Sequence, residues 1–301
     1  ELADEIPNYS YIDYISSEKK YVKSDRFIKD KEFWESTFKN IPNPISLPES
    51  IKNYNSNLSS YSKRKSFPLS KKAMAKINAY CNEKKLSPFA FFMSVYSIYL
   101  ARINNSTNFA LGTPVLNRTN FQEKNTSGLF ISTIPFCVNL DWNSSFDDFS
   151  TYIATQTISS FRHQKYPYKL LLEDVRKKNS DVSTLYNVLL SYQNARATNN
   201  SSLDYTSQWI APSANDLQIH IHDINDSDTL IISYDYRIAK YTEKSIVETH
   251  NRILNIVNQI IDSENIKLCD LEVVTNTEKA SLLSMCSNTK KYYPKNKSIQ
   301  Y

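Results

Sequence analysis

The chain has 301 residues, of which 41% are hydrophobic and 22% are charged, and its formal net charge is +5. This composition supplies enough apolar material for a sizeable core and excludes a chain that is disordered throughout. Basic and acidic residues are interleaved in short runs such as SEKKYVKSD, which favours a solvated surface over a basic, nucleic-acid-binding stripe. We therefore expect no nucleic-acid partner.

The cysteines and the apolar runs indicate the compartment. The four cysteines are far apart and form no CxxC pair, which favours reduced, mostly buried thiols over a zinc site or a disulfide framework. The opening sequence ELADEIPNYS is too polar for a signal peptide. The most apolar run, PFAFFMSVYSIYLARI, is too short and too rich in Ser and Tyr to cross a bilayer, and it predicts a buried helix. We expect a cytoplasmic protein without a membrane partner.

The first third of the chain predicts helices around one short strand. KDKEFWESTF predicts a helix with Phe33, Trp34 and Phe38 on one side, and three prolines between residues 42 and 48 predict an extended linker. SKRKSFPL predicts a short strand. Ser70 is the expected N-cap of the helix KKAMAKINAYCNEKK, and a polar turn at Ser87 separates it from the apolar helix.

Most of the predicted strands lie in the last two thirds of the chain. FALGTPVL and LFISTIPFCVNL predict buried strands, and helices follow over residues 147–162, with Asp147 as the expected cap, and in PYKLLLEDVRKK. YNVLLSYQN, LQIHIHD and TLIISYDYR predict further strands, and NTEKASLLSM predicts a last short helix. Before it comes a long helix with one apolar stripe, formed by Ile246, Val247, Ile253, Leu254, Val257 and Ile261. This mixture without strict alternation predicts an α/β fold with a mixed sheet backed by helices.

Glycine occurs only twice, as Gly112 and Gly128, and both lie in the stretch LGTPVLNRTNFQEKNTSGLFISTIP. A Gly-rich phosphate loop, a dinucleotide fingerprint and a G-x-S-x-G elbow each need glycine at fixed offsets, so all three are excluded. No HExxH motif occurs either. The sequence therefore does not predict a nucleotide-using enzyme or a serine hydrolase of the common type.

The histidines are the remaining candidates for site chemistry. In HIHD, His220 and His222 point to the same face of a strand, as an H-x-H metal hydrolase would require. The alternative is a half-exposed sheet face with the apolar residues of LQIHIHD turned inwards; without a nearby cysteine or third histidine we favour it and predict no metal site. His250 lies in the apolar stripe of the late helix, which predicts a packed or boundary histidine. His163 follows a helix end, where a structural role is expected.

Four segments in a fixed order carry the most specific signal: YSYIDYISS, LGTPVLNR, SGLFISTIPF and RHQKYPYKLLLEDV. Together they resemble the motif blocks of the condensation domain of nonribosomal peptide synthetases. The departures from the family pattern are Tyr14 for Phe, Ser132 for Asn, Tyr168 for Phe and Lys169 for Glu. The resemblance runs from about residue 8 to the end of the chain, and it implies a fold like that of chloramphenicol acetyltransferase.

The resemblance implies amide-bond formation between two carrier-bound thioesters. An upstream peptidyl carrier protein would present an acyl or peptidyl thioester on phosphopantetheine, and the amine of an aminoacyl thioester on a downstream carrier would attack it. No cofactor is expected to bind directly, because the phosphopantetheine arms belong to the carriers. An adjoining adenylation domain and an N-terminal condensation lobe are the other implied partners.

The family's catalytic motif, His-His-x-x-x-Asp-Gly, occurs nowhere in the 301 residues. We therefore expect no catalytic residue in this chain and no activity from it alone. The resemblance divides the chain into a lobe-connecting segment over residues 1–55, a C-terminal lobe over residues 56–275 and a linker towards an adenylation domain over residues 276–301.

The resemblance also assigns candidate residues to the substrate tunnel. Gly112 and Pro114 would shape its wall, since a side chain at Gly112 would crowd a neighbouring strand or the path of the ligand. Ser132 would offer a hydroxyl to the acceptor side. Gln193 and Asn194 would contact the acceptor amine or its phosphopantetheine arm.

A second set of residues is assigned to the interface between the lobes. Arg118 would pair with the aspartate of the absent motif through a charge-assisted bond. His163, Tyr11 and Asp13 would have interface or structural roles. Gly128 would start the strand after a polar loop, where its missing Cβ permits a sharp entry; two ordinary turn glycines are the alternative.

Other functions remain open at the level of sequence. Epimerisation and heterocyclisation domains share the fold and most of the blocks. A non-catalytic module that docks carrier proteins is a second possibility, and a metal hydrolase built on His220 and His222 is a third.

Overall fold

A computed structural model of the protein describes residues 9–51, 61–194, 215–223 and 230–287. The described strands are β1 (Ser62–Leu69), β2 (Asn108–Val115), β3 (Ser132–Asn139), β4 (Val188–Gln193), β5 (Leu217–His222) and β6 (Leu230–Arg237). They form one six-stranded sheet in the order β1-β6-β5-β4-β2-β3. Strand β4 is parallel to both β2 and β5, and the other neighbouring pairs are antiparallel. The sheet is mixed, as predicted.

The helices are spread along the chain between the strands. They are α1 (Tyr11–Tyr21), α2 (Asp25–Thr37), α3 (Lys71–Glu83), α4 (Pro88–Asn104), α5 (Phe121–Asn125), α6 (Phe146–Arg162), α7 (Tyr168–Lys178), α8 (Glu243–Ile261) and α9 (Asn276–Ser287). A short 3-10 turn covers Leu268–Asp270. The sequence interpretation missed α1 and α5, and it found the others.

Serine hydroxyls begin several helices, as the sequence predicts for Ser70, and Ser87, predicted only as part of a polar turn, is the N-cap of α4. At α6 the prediction of Asp147 as the cap was wrong. The hydroxyl of Ser145 accepts a hydrogen bond from the backbone N–H of Asp148 at 3.1 Å, so Ser145 is the N-cap. Asp147 lies in the first turn instead, where its carboxylate pairs with Lys84 at 2.8 Å.

The main core lies between α4 and one face of the sheet. Residues 90–101 of α4 are all buried, because this helix is apolar on every side and packs against both α6 and α8. The buried stripe of α8 differs from the predicted one and comprises Ile246, Thr249, His250, Ile253, Ile256, Val257 and Ile260. Two polar residues fit there because core hydroxyls bond to them: Tyr99 to Thr249 at 3.2 Å and Tyr234 to the Nδ1 of His250, also at 3.2 Å.

A second, smaller core lies where α2 and α7 pack beside β2 and β3. Trp34 and Phe38 of α2 are buried in it, together with Leu171 of α7 and Ile134 of β3. The segment before the first strand is therefore fixed to the sheet domain through α2, and residues 41–49 continue from α2 without helix or strand, as the prolines predict.

The structure also tests the expectations about buried cysteines and about membrane-spanning helices. Cys81 is buried and Cys137 is half-buried, but Cys269 and Cys286 are exposed, so the expectation of mostly buried thiols holds for half of them. Among the described residues no single helix is long and apolar enough to cross a bilayer, and the one pair that meets the criterion jointly, α3 with α4, is bent by 104°.

Candidate functional site

The carboxyl ends of β2, β4 and β5 meet at one edge of the sheet, together with the start of β3. The chain leaves β2 for β3 in one direction and leaves β4 for β5 in the other, so the strand order reverses between β2 and β4. Open α/β sheets bind ligands at the carboxyl ends of strands beside such a reversal. We call this candidate site the strand-end edge; it comprises Pro114, Val115, Ser132, Gln193, Asn194 and His222.

The strand-end edge contains four of the five residues that the sequence assigned to the tunnel. Pro114 and Ser132 are half-buried, and the Ser132 hydroxyl makes no hydrogen bond to a described residue. Exposed apolar side chains flank these strand ends: Leu116 is 69% exposed, Leu129 77% and Ile131 60%. An apolar border of this kind is typical of a surface that another protein element covers.

The fifth residue, Gly112, lies deeper in β2, opposite Leu189 of β4 and Pro135 of β3. A Cβ atom at this position would be 2.3 Å from the Cε2 atom of Tyr186, far closer than two carbon atoms approach. Tyr186 is buried and lies two residues before the start of β4. Glycine is therefore required here by the ring of Tyr186, whereas the prediction named a neighbouring strand or the path of the ligand; the tunnel role stays a prediction.

The side chain of Gln193 is held across the β4–β5 pair. Its Oε1 lies 3.1 Å from the Nδ1 of His222, and its Nε2 lies 3.4 Å from the hydroxyl of Ser191. A second tie joins the same strand ends, because the hydroxyl of Tyr192 donates to the carboxylate of Asp223 at 2.8 Å. Asn194 follows, exposed, as the last described residue before the gap at 195–214.

The outward face of β5 carries the histidines of HIHD, as the alternation predicts. The Nε2 of His220 lies 3.2 Å from the carboxylate of Asp235, which also accepts two bonds from Arg64 at 2.6 and 2.8 Å. Burial, followed by the nearby His220 and Arg64 side chains, lowers the pKa of His222. Both histidines thus have hydrogen-bond partners in the sheet, and the described residues contain no cluster of three or more His, Cys, Asp or Glu side chains arranged for a metal ion.

Arg118 organises the loop between β2 and β3. Its guanidinium donates to the backbone carbonyls of Glu123, Thr126 (2.6 Å) and Gly128 (3.1 Å), and it lies 3.9 Å above the ring of Phe130. The sequence interpretation did not foresee these partners. They show Arg118 shaping its own loop, and a bond from it to another lobe remains a prediction.

Gly128 is the second position at which glycine is required. Its φ angle is +156°, and an added Cβ would lie 2.3 Å from the Cδ2 atom of Tyr11. The strand itself begins only at Ser132, so the expectation that Gly128 starts it was wrong. Tyr11 also donates from its hydroxyl to the carbonyl of Leu129 at 2.9 Å, which fixes α1 to this loop. Asp13 is exposed in the first turn of α1.

A buried ion pair, which the sequence interpretation missed, joins the same loop to the RHQKYP block. The carboxylate of Glu123 lies 2.5 Å from the Nζ of Lys165 and accepts from the backbone N–H of Thr119 at 2.6 Å. Burial raises the pKa of Glu123, but the bonds from Lys165 and Thr119 outweigh it, so the pKa falls below its ordinary value. The spacing from Asn120 to Glu123 is that of a capping box and could have revealed both α5 and this carboxylate.

His163 lies at the end of α6 in a closed polar cluster that we call the Asp30 joint: Tyr21, Arg26, Asp30 and His163. The carboxylate of Asp30 is fully buried and lies 2.7 Å from the Tyr21 hydroxyl, 2.8 Å from the Nε of Arg26 and 2.7 Å from the Nδ1 of His163. The imidazole also stacks on Phe33 at 4.0 Å. The joint fixes α2 against α6.

The comparisons with known proteins agree on one family. The model of the condensation domain matches residues 2–283. The chain is 30% identical to surfactin synthase subunit 1 of Bacillus subtilis (strain 168) over 294 residues, which are 97% of this chain and 8% of that protein. It is 20% identical to gramicidin S synthase 2 of Brevibacillus brevis over 301 residues, which cover 96% of this chain and 7% of that protein. The chain thus spans only a small part of either relative.

A solved structure shows the same architecture. The starter condensation domain of rhizomide synthetase RzmA, a double mutant in complex with C8-CoA and Leu-SNAC, matches with a TM-score of 0.71 at 18% identity, over 89% of this chain and 60% of that chain. At this identity the likeness concerns the fold, and it confirms the expected lobe with a mixed sheet backed by helices, as in chloramphenicol acetyltransferase. Since the family model spans nearly the whole sequence, the chain belongs to the condensation domain family of nonribosomal peptide synthetases.

Proposed function

We propose that this chain is part of a condensation domain that joins an acyl or peptidyl thioester to the amine of an aminoacyl thioester, both held on carrier proteins. The family match over residues 2–283 is the observation that carries the proposal. The complex of the RzmA starter domain with C8-CoA and Leu-SNAC supports an acyl donor and an aminoacyl acceptor as substrate classes. The partners would be peptidyl carrier proteins upstream and downstream, with phosphopantetheine arms, and an adjoining adenylation domain.

The reaction forms a C–N bond and breaks a C–S bond. The amine nitrogen attacks the thioester carbonyl carbon, and the tetrahedral oxyanion collapses and expels the thiolate. The proton that the nitrogen loses balances the charge on that thiolate. Tethering both reactants in one tunnel supplies orientation, and hydrogen-bond donors stabilise the oxyanion. Ser132, Gln193 and Asn194 are the polar groups that the strand-end edge offers for these tasks, with Gly112 and Pro114 in the tunnel wall.

Catalytic proton transfer is assigned to a histidine outside these residues. The His-His-x-x-x-Asp-Gly motif is absent from the 301 residues, and we assign it to an N-terminal lobe that would cover the apolar border of the strand-end edge. The 301 residues alone would then form no amide. In this arrangement residues 1–55 connect the lobes, residues 56–275 form the C-terminal lobe and residues 276–301 lead towards the adenylation domain, all in the cytoplasm.

The experiment compares two proteins with the same loaded carriers. One is the full-length protein that contains these residues, and the other is the 301-residue chain; the dipeptidyl or acyl-aminoacyl thioester is measured by mass spectrometry. We expect product from the full-length protein only. Product from the 301-residue chain would overturn the assignment of the catalytic histidine. Carrier binding by the full-length protein without any product would favour a docking module.

A further inference from the structure

At the ends of β4 and β5, His222 lies where it can fix the orientation of the side-chain amide of Gln193. Gln193 and His222 are partners in the parallel register, and the Nδ1 of His222 lies 3.1 Å from the Oε1 of Gln193. The backbone reinforces the same junction, since the N–H of Asp223 donates to the carbonyl of Gln193 at 2.8 Å. The two side chains therefore meet at a fixed separation at the strand-end edge.

The chemistry of this contact sets the direction of every hydrogen bond in it. An amide oxygen only accepts, so the Nδ1 of His222 must carry the proton and donate it. The carboxamide of Gln193 then has its two N–H groups left as donors. One is 3.4 Å from the Ser191 hydroxyl, which is a long contact, and the other has no acceptor among the described residues. The amide is thereby presented as a donor.

The proton on Nδ1 of His222 keeps this arrangement in place over a broad pH range. The groups that face it are His220 and Arg64, which lower its pKa after burial, and Asp235, which raises it. The Nδ1–H persists whether the ring is neutral or protonated, because protonation adds a proton only at Nε2. The bond to Gln193 is therefore independent of the charge on His222.

We propose that His222 is a positioning residue that holds the Gln193 carboxamide with its N–H groups directed to a carbonyl oxygen of the acceptor's phosphopantetheine arm. This inference rests on the proposed function and narrows it. The N–H groups of the Gln193 amide can bond to the amide carbonyls of the phosphopantetheine arm. They do not suit the attacking amine of the aminoacyl substrate, whose own N–H groups need a hydrogen-bond acceptor. The sequence allowed either group as the partner of Gln193, and the geometry selects the arm.

Three substitutions in the full-length protein separate the two ring nitrogens. His222→Asn keeps a donor close to the position of Nδ1, His222→Gln keeps one close to Nε2, and His222→Ala keeps neither. The readouts are the Kd of an unreactive amide analogue of aminoacyl pantetheine and the KM and kcat for aminoacyl pantetheine as acceptor. An aminoacyl thioester of ethanethiol, which has no arm carbonyl, is the control acceptor.

We expect His222→Ala and His222→Gln to raise Kd and KM for the pantetheine compounds about fivefold, the weight of one neutral hydrogen bond, with kcat unchanged. His222→Asn should restore wild-type values, and KM for the ethanethiol ester should not move in any variant. Equal losses in all three variants, or none, would overturn the inference. If the wild-type protein makes no amide, the proposed function fails, and the Kd series still decides the role of His222.

Discussion

The Asp30 joint and the strand-end edge each contain a histidine that bonds through Nδ1. They differ in whether the partner of that histidine keeps a hydrogen-bonding group without a described partner. At the joint, three donors converge on one buried carboxylate, and the imidazole of His163 is covered by Phe33. At the edge, the bond from His222 leaves Gln193 with a donor that no described residue accepts. A histidine with a closed set of partners serves the fold, and we propose that one whose partner keeps an unused donor serves ligand binding.

Removing the centre of the joint should have the largest effect on stability. Asp30→Ala deletes a fully buried acceptor and leaves the Tyr21 hydroxyl, the Arg26 guanidinium and the His163 ring without their shared partner. We expect the free energy of unfolding in urea to fall by about 4 kcal/mol. Glu32→Ala, an exposed change on the same helix, is the control and should be nearly neutral. A loss in unfolding free energy no larger than that of Glu32→Ala would mean that the joint does not hold α2.

His250 extends the comparison between His163 and His222, because it is buried and hydrogen-bonded without a charged partner. It stacks on Phe67 at 3.9 Å, and burial lowers its pKa from 6.5 to about 4. The unfolded chain therefore takes up the proton at a higher pH than the folded chain does. Its stabilising contribution is complete above pH 6.5 and is lost as the pH falls towards 4, by about 3 kcal/mol in total.

The measurement is urea unfolding of the wild type and of His250→Gln between pH 7 and 4.5. The difference between the two proteins should shrink as the pH falls, because only the wild type loses this contribution. Parallel pH profiles would contradict the account of His250.

Gly112 lies in β2 below the strand-end edge, and substituting it tests whether this glycine is needed for the fold. Gly112→Ala places a Cβ against the buried ring of Tyr186, which must move, so we expect a loss of about 2 kcal/mol in unfolding free energy. The same change in a Tyr186→Leu background should cost clearly less, since the obstructing ring is gone. Additive effects of the two substitutions would show that the ring is not the reason for the glycine.

At the strand-end edge itself, stability should hardly respond. Asn194 is exposed and follows the last residue of β4, so Asn194→Ala should change the free energy of unfolding by less than about 0.5 kcal/mol. A larger loss, measured by the same urea titration, would place Asn194 among the residues that hold the fold and would weaken the contrast with the joint.

The helices and strands were largely predictable because local patterns decide them. Periodicity located α4 and β5, where burial follows 3.6-residue and two-residue spacing. The stripe of α8 was misread at Thr249, a polar residue that is buried because Tyr99 bonds to it from another helix, whereas the prediction of His250 as a packed or boundary histidine was confirmed. Helix α1 was missed because it buries no residue, although Ser10 and Asp13 carry the signal of a capped start.

The candidate site was predictable in its members and not in its contacts. The motif blocks contain Gly112 and Ser132, Gln193 was proposed from the end of the strand YNVLLSYQN, and sheet topology brings Ser132 and Gln193 to one edge. Contacts between distant segments have no signature in a single sequence. Neither the pairing of Glu123 with Lys165 nor that of Gln193 with His222 follows from local spacing, since 42 and 29 residues separate the partners.

The central claim is that the strand-end edge is the face at which the reaction occurs. It is tested by Gln193→Ala in the full-length protein, with amide formation and urea unfolding measured side by side. Gln156→Ala on α6, also half-buried, is the control. The account predicts that amide formation with carrier-bound acceptor falls about fivefold or more in Gln193→Ala while stability changes by less than about 0.5 kcal/mol, with no loss of activity in the control. Wild-type amide formation by Gln193→Ala would contradict it.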